Sequence, residues 1–195
     1  MKRRRQKSIK FFLFILLLII ASLLALYFFF SGPKEKVKAA EKPERLEAEF
    51  EKTEVMTRQV TLYFPSENDD WLHPESREIR VGTPEKEAEE IIQELIAGSK
   101  KGYLSPLPPQ ARIRQVFITN DGTAYVDFSR EIMEKHPSGS AAELTTIYAV
   151  VNSLISNIPA IKQVFFLIEG SERETLSGHI NLNRPFVALP SIIAR

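Results

Sequence analysis

The residues able to do chemistry are few. The chain has three histidines, His73, His136 and His179, and no cysteine. Each histidine stands beside a turn signal. None has metal-ligand spacing to another histidine or to a close carboxylate pair, so they read as surface or loop residues. Without cysteine there is no thiol nucleophile, thiolate metal site or disulfide staple. Ser177-Gly178-His179 invites a nucleophile, but no G-x-S-x-G elbow surrounds it and spacing places no acid partner. Asp69 and Asp70 beside Trp71 suit a cation or a sugar ring, and equally a polar surface loop. Asp127 points away from the core face of its strand. No glycine-rich phosphate cradle is present. These residues predict no catalytic group, no cofactor and no metal.

The elements that must position them are legible from periodicity. Val60, Leu62 and Phe64 alternate with polar neighbours as a half-buried strand, stopped by Pro65. Glu67 to Ser76, with Pro74, reads as a loop, and Arg77 to Val81 as a second short strand. Thr83 followed by Pro84 is a helix start. Ala88, Ile91, Ile92, Leu95 and Ile96 then form one apolar face, and Gly98 is the stop, which predicts a helix over 84–97. Pro106, Pro108 and Pro109 mark a loop. Two β-rich runs flank Asn120, Asp121 and Gly122, the positive-φ residues of a tight hairpin. Ala124, Val126 and Phe128 face one way, Thr123, Tyr125 and Asp127 the other. Ser140 with Glu143 makes a capping box for a second helix, whose apolar face is Leu144, Ile147, Tyr148, Val151, Ile155 and Ile158 and which ends at Pro159. Ile161 to Ile168 is apolar on both faces and predicts a central strand. The order is strand, helix, hairpin, helix, strand. It predicts an α+β domain over 59–190: a small mixed β-sheet with two amphipathic helices packed on one face, in ring-building-motif-like or ferredoxin-like connectivity.

Ahead of this domain lies the most one-sided stretch in the chain, residues 11–30, FFLFILLLIIASLLALYFFF. Twenty residues without charge, proline or glycine make about 30 Å of helix, the thickness of a bilayer core. Phe11, Leu17, Leu24 and Phe30 mark the length of this predicted transmembrane helix. A cleaved signal peptide is the competing reading, but its apolar region runs about 7–15 residues and ends in a small-x-small site. Here the run ends in Tyr27 and three phenylalanines. Residues 1–10 carry six Lys and Arg and no acid, so the N-terminus stays inside and the domain lies outside the cytoplasm. Residues 31–58, rich in Lys and Glu, form a charged linker, with a short helix around Leu46 and Phe50 as an alternative.

The whole chain has 26 Lys and Arg against 25 Asp and Glu. With the six tail cations removed, 20 face 25, a net of −5 for the exported part. That excludes a nucleic-acid partner, which needs clustered basic surface.

Several segments in this order carry a resemblance. LYFP is followed by TPEKEAEEIIQELIAG, then SPLPP, VFITNDGTAYVDFS, VFFLIEG and TLSGHINLNRPF. The pattern over residues of about 60 to 187 resembles the GerMN domain, the sporulation and spore germination domain. The DG hairpin ending in VDFS, Glu169-Gly170 and the late Gly178 are its most specific parts. The resemblance implies a membrane-tethered extracytoplasmic α+β domain without known catalytic activity, similar to the side-by-side modules of secretion-like and spore-envelope assemblies. Members from spore formers often carry two copies and a lipoprotein cysteine. This sequence shows one copy, no cysteine and a helical anchor.

From Leu144 to Ile161 there is no charge. Thr145, Thr146, Ala149, Asn152, Ser153 and Ser156 read as the outward positions of the second helix, and charge depletion is typical of interface centres. The expected function is scaffolding in the cell envelope through self-association or other envelope proteins. The alternative is a peptidoglycan or glycan-binding module using Trp71 and Tyr103. A hydrolase is the third reading, and it lacks motifs. Protease added to intact protoplasts should digest the domain and leave the tail; a protected C-terminal domain would overturn the orientation.

Overall fold

The computed structural model describes residues 17–27 and 56–194. These fall into two units. In the first, residues 17–27 are helical and exposed, including Leu17 and Leu24. Phe11, Phe30, the basic tail and most of the linker lie outside the described residues. Among the described residues no helix is long and apolar enough to cross a membrane.

The second unit is α+β. Strands β1 (Thr57–Pro65) and β2 (Leu72–Arg80) form an antiparallel hairpin. Helix α1 (Pro84–Ala97) follows, then β3 (Ile113–Ile118) and β4 (Thr123–Phe128). A short helix α2 (Glu131–Glu134) precedes the long α3 (Ser140–Asn157), and β5 (Gln163–Ile168) completes the regular strands. A 3-10 turn at Pro190–Ile192 lies near the end.

The expected single sheet is instead two. β1 and β2 form one, and β3, β4 and β5 form another in that order. β4 and β5 are parallel, joined by α3 as the crossover, and β3 pairs antiparallel with β4. The reason lies at the edge of β1. Asn157 of α3 accepts from the Thr61 amide at 2.9 Å and donates to the Thr61 carbonyl at 2.7 Å. Two residues along, the Tyr63 amide donates to Ser153 Oγ at 3.1 Å. Helix side chains thus occupy positions where another strand would pair, and no ferredoxin-like sheet forms through β1.

The same geometry explains the length of β2, which begins at Leu72 rather than at Arg77. Tyr63 opposes Pro74. Because the Tyr63 amide faces α3, this pair is a non-hydrogen-bonded one, and Pro74 gives up no ladder bond. β5 is also displaced from its expected central place: it is an edge strand, touched on its outer side by a bridge between Val164 and Phe186, with both bonds at 2.8 Å.

Helix α1 matches its expected limits. Thr83 Oγ1 caps the Lys86 amide, and Ala88, Ile91, Ile92 and Leu95 are buried. Helix α3 does not use its expected capping box: Gly139 is the N-cap, and no side chain caps it. In the β3–β4 turn only Gly122 has a positive φ, and Asp121 instead bonds the hydroxyls of Thr119 and Thr123. Gly122 is tightly placed, since a Cβ there would lie 2.9 Å from Lys162 Cγ and 3.1 Å from the Ala160 carbonyl oxygen.

Replacing Asn157 with Ala strands the amide and carbonyl of Thr61 behind α3. The expected loss is about 2 kcal/mol in urea unfolding, with the helix content of the folded protein unchanged.

Candidate functional site

Four of the six α3 positions read as an interface are buried, and this corrects that reading. Thr146, Ala149, Asn152 and Ser153 are each no more than 2% exposed. Asn152 accepts from the Leu189 amide at 2.8 Å and donates to its carbonyl at 3.3 Å. Thr146 Oγ1 donates to the Pro106 carbonyl at 2.6 Å. Ser153 is spent on β1. Thr145 is half-buried and bonds its own helix, and Ser156 alone is exposed. Leu144, assigned to the core face, is 37% exposed. From Leu144 onward the helix lacks charge because its polar side chains pair with the backbone of other segments in the interior, where an unpaired charge is costly.

One acid does sit there. Glu143 is fully buried. Its carboxylate accepts from the amides of Ser177, His179 and Ile180, the last two at 2.9 and 2.7 Å. Burial pushes its pKa up, and the three amides outweigh that and hold it below the ordinary 4.5. His179 Nδ1 lies 3.6 Å from the same carboxylate. Ser177 Oγ is buried without a hydrogen-bond partner. The Ser-Gly-His stretch is therefore a loop latched to α3, with its hydroxyl closed to solvent. Periodicity held the signal: Glu143 precedes Ile147, Val150, Val151 and Leu154 on the buried side of the helix.

A second buried carboxylate, Glu75, is 2% exposed. It pairs with Arg77 and accepts from Ser99 Oγ at 2.6 Å and the Lys100 amide at 3.0 Å. Burial raises its pKa, and these donors lower it below the usual value. Arg77 also donates to the Gly98 carbonyl at 2.8 Å and lies over the Phe64 ring. This pair fastens β2 to the end of α1.

The remaining histidines are also held. His136 is buried between the Pro137 carbonyl and Thr146, and burial pushes its pKa down. His73 stacks on Tyr103, with ring centroids 4.8 Å apart, and bonds Asp69. Asp127 accepts from the Gly170 amide at 2.8 Å and pairs with Arg114. Among the described residues no cluster of His, Asp and Glu could hold a metal.

Two further features are accessible. A cleft of about 600 Å³ lies between Asp69, Trp71 and His73 on one side and Ser191, Ile193 and Ala194 on the other. The second is the outer face of the three-stranded sheet, where the register places Phe117 opposite Tyr125 and Tyr125 opposite Phe165. Tyr125 and Phe165 have centroids 5.4 Å apart, and Phe117 is 57% exposed. Alternation puts Tyr125 on that face, but only strand pairing brings the three rings into one row.

Residues 61–174, more than half of the chain, match the model of the Germane family, described as sporulation and spore germination. The chain belongs to this family. The Germane domain is also similar in fold to the tandem GerMN domains of the sporulation protein GerM from Bacillus subtilis, at 20% identity and a TM-score of 0.56. That match covers 68% of this chain and 46% of the GerM chain. The first GerMN domain of GerM alone aligns with a TM-score of 0.52 at 20% identity, covering 67% of this chain and 97% of that one. A Clostridium perfringens protein provisionally classed as a lipoprotein gives a TM-score of 0.50 at 24% identity, covering 71% of this chain and 93% of that one. No curated protein matches the chain.

Both buried glutamates have lowered pKa values, so the stability they add is complete above the ordinary 4.5 and is lost as pH falls through their lower native values. Glu143→Gln turns an amide group toward the loop's own amides. It should cost about 3 kcal/mol at neutral pH, with the gap to the parent protein closing below pH 4.5 in unfolding titrations.

Proposed function

We propose that this protein is a single-pass membrane protein, N-terminus inside, that presents its Germane domain outside the cytoplasm as a non-enzymatic assembly module in sporulation or germination. The apolar run at 11–30 and the basic tail before it support the anchoring. One structural neighbour is described as a lipoprotein, which supports a place at a membrane. The buried Ser177 hydroxyl and the engaged Glu143 support a role other than catalysis.

The observation that carries the assembly reading is Phe117, 57% exposed on the sheet face where it stands opposite the half-buried Tyr125, with Phe165 buried beside them. Exposed aromatics gain most from being covered by a partner. Beside the row, Arg114 is 3.3 Å from Asp127 and 3.5 Å from Glu169. A rim carrying both signs is self-complementary, so a second copy related by two-fold symmetry is the partner it fits.

Crosslinking of the full-length protein in cells tests this. The parent protein should give dimers and higher multiples, and Phe117→Lys should abolish them without changing the unfolding midpoint. A monomer in both cases, a ladder unaffected by the substitution, or one different envelope protein captured throughout would overturn self-association.

A further inference from the structure

The cleft beside Trp71 is not used by this assembly surface. We infer that it binds a glycan, as a groove for an uncharged saccharide chain of at least two rings.

The walls are fixed before any ligand arrives. On one side the loop 66–71 is pinned by Asn68 donating to Ser66 Oγ and by the Trp71 amide donating to Asp69 Oδ1, both at 3.0 Å. On the other, Ile193 bridges Leu72, the Ala194 amide donates to the Leu72 carbonyl at 2.9 Å, and Asn152 holds Leu189. A preformed site loses little entropy on binding. Its volume of about 600 Å³ is that of a small-molecule site.

The chemistry of the lining selects the ligand. Trp71 is 47% exposed at the cleft, a large ring left uncovered in a tethered loop. Its flat face suits the C–H face of a pyranose. Asp69 supplies the polar partner. His73 Nε2 lies 2.9 and 3.0 Å from its two oxygens and, facing a carboxylate, acts as donor there. That contact orients the Asp69 carboxylate: Oδ1 is engaged by His73 and the Trp71 amide, and Oδ2 keeps a lone pair that can accept a sugar hydroxyl. Tyr103 stacked on His73 locks the imidazole in turn. Ser191 adds a hydroxyl on the opposite wall.

Among the described residues no lysine or arginine lines the cleft, and Asp69 gives this lining negative charge, which disfavours phosphates and other anions. A compact cation would need one subsite. The surface offers two, because Asp69 also lines a second hollow of about 240 Å³ with Ser66, Ser105 and Thr145. Two hollows that share Asp69 fit a chain of rings, each hollow taking a sugar unit.

Trp71 is the only tryptophan in the protein, so its fluorescence reports this site alone. Full-length protein in a detergent without a sugar headgroup would be titrated with chitotetraose, maltotetraose and, for comparison, tetralysine. A saturable blue shift with either saccharide and none with tetralysine is expected. By calorimetry, Trp71→Ala and Asp69→Ala should each bind the active saccharide about tenfold more weakly or worse, with circular dichroism and unfolding midpoints unchanged. No saturable response to either saccharide at millimolar concentration overturns the proposal. So does saturation by tetralysine alone, which would mark a cation site, or saccharide affinity that survives both substitutions.

Discussion

Two side chains of α3, Asn157 and Ser153, occupy the hydrogen-bonding edge of β1. An open strand edge invites another strand, either from the same domain or from another molecule. Filling it with helix side chains keeps the β1–β2 hairpin apart from the β3–β4–β5 sheet and fixes α3 against both. Other buried polar groups of the same helix repeat the device. Asn152 holds Leu189, Thr146 holds Pro106 and Glu143 holds the loop at 177–180. Each satisfies backbone groups that would otherwise be stranded in the interior. The helix is a hub that ties irregular segments to a small core, in a domain with no disulfide to do that work.

That arrangement determines which surfaces are left. With most of its polar positions enclosed, the uncharged face of α3 is spent inside the domain, and the exposed aromatic ring is Phe117 on the outer side of the three-stranded sheet. The segment after β5, held through Leu189 and then by Leu72, becomes a rigid wall of the cleft beside Trp71. Surface and cleft both depend on contacts made by residues far apart in the chain.

Reading along the sequence succeeded where structure is local. The limits of α1 follow from Thr83, Pro84 and Gly98, because capping and helix stops are settled within one turn of backbone. The β3–β4 hairpin and the inward set Ala124, Val126 and Phe128 follow from alternation and one glycine turn. The family, too, is recognisable from the order and spacing of short segments. Errors arose where a partner distant in sequence decided the outcome. Glu143 has the spacing of a capping box, yet the amides at 177–180 claim its carboxylate. Pro74 argues against a strand until the amide of Tyr63 is seen to face α3. β5 is apolar on both sides although it is an edge strand: Val164 and Phe166 are buried on one side, and Phe165 is buried on the other, tilted against Tyr125.

By itself, then, the sequence determined the α+β class, the extent of α1, the turn at Gly122 and the lack of any cysteine chemistry, since these rest on residue type and on neighbours a few positions away. The tertiary structure alone decided that the polar side of α3 faces inward, that the sheet divides, that three aromatic rings align and that Asp69, Trp71 and Ser191 share a cleft. An uncharged Thr, Asn or Ser has the same local preferences beside water as beside a backbone edge. Only the long-range packing that supplies or withholds a partner separates the two.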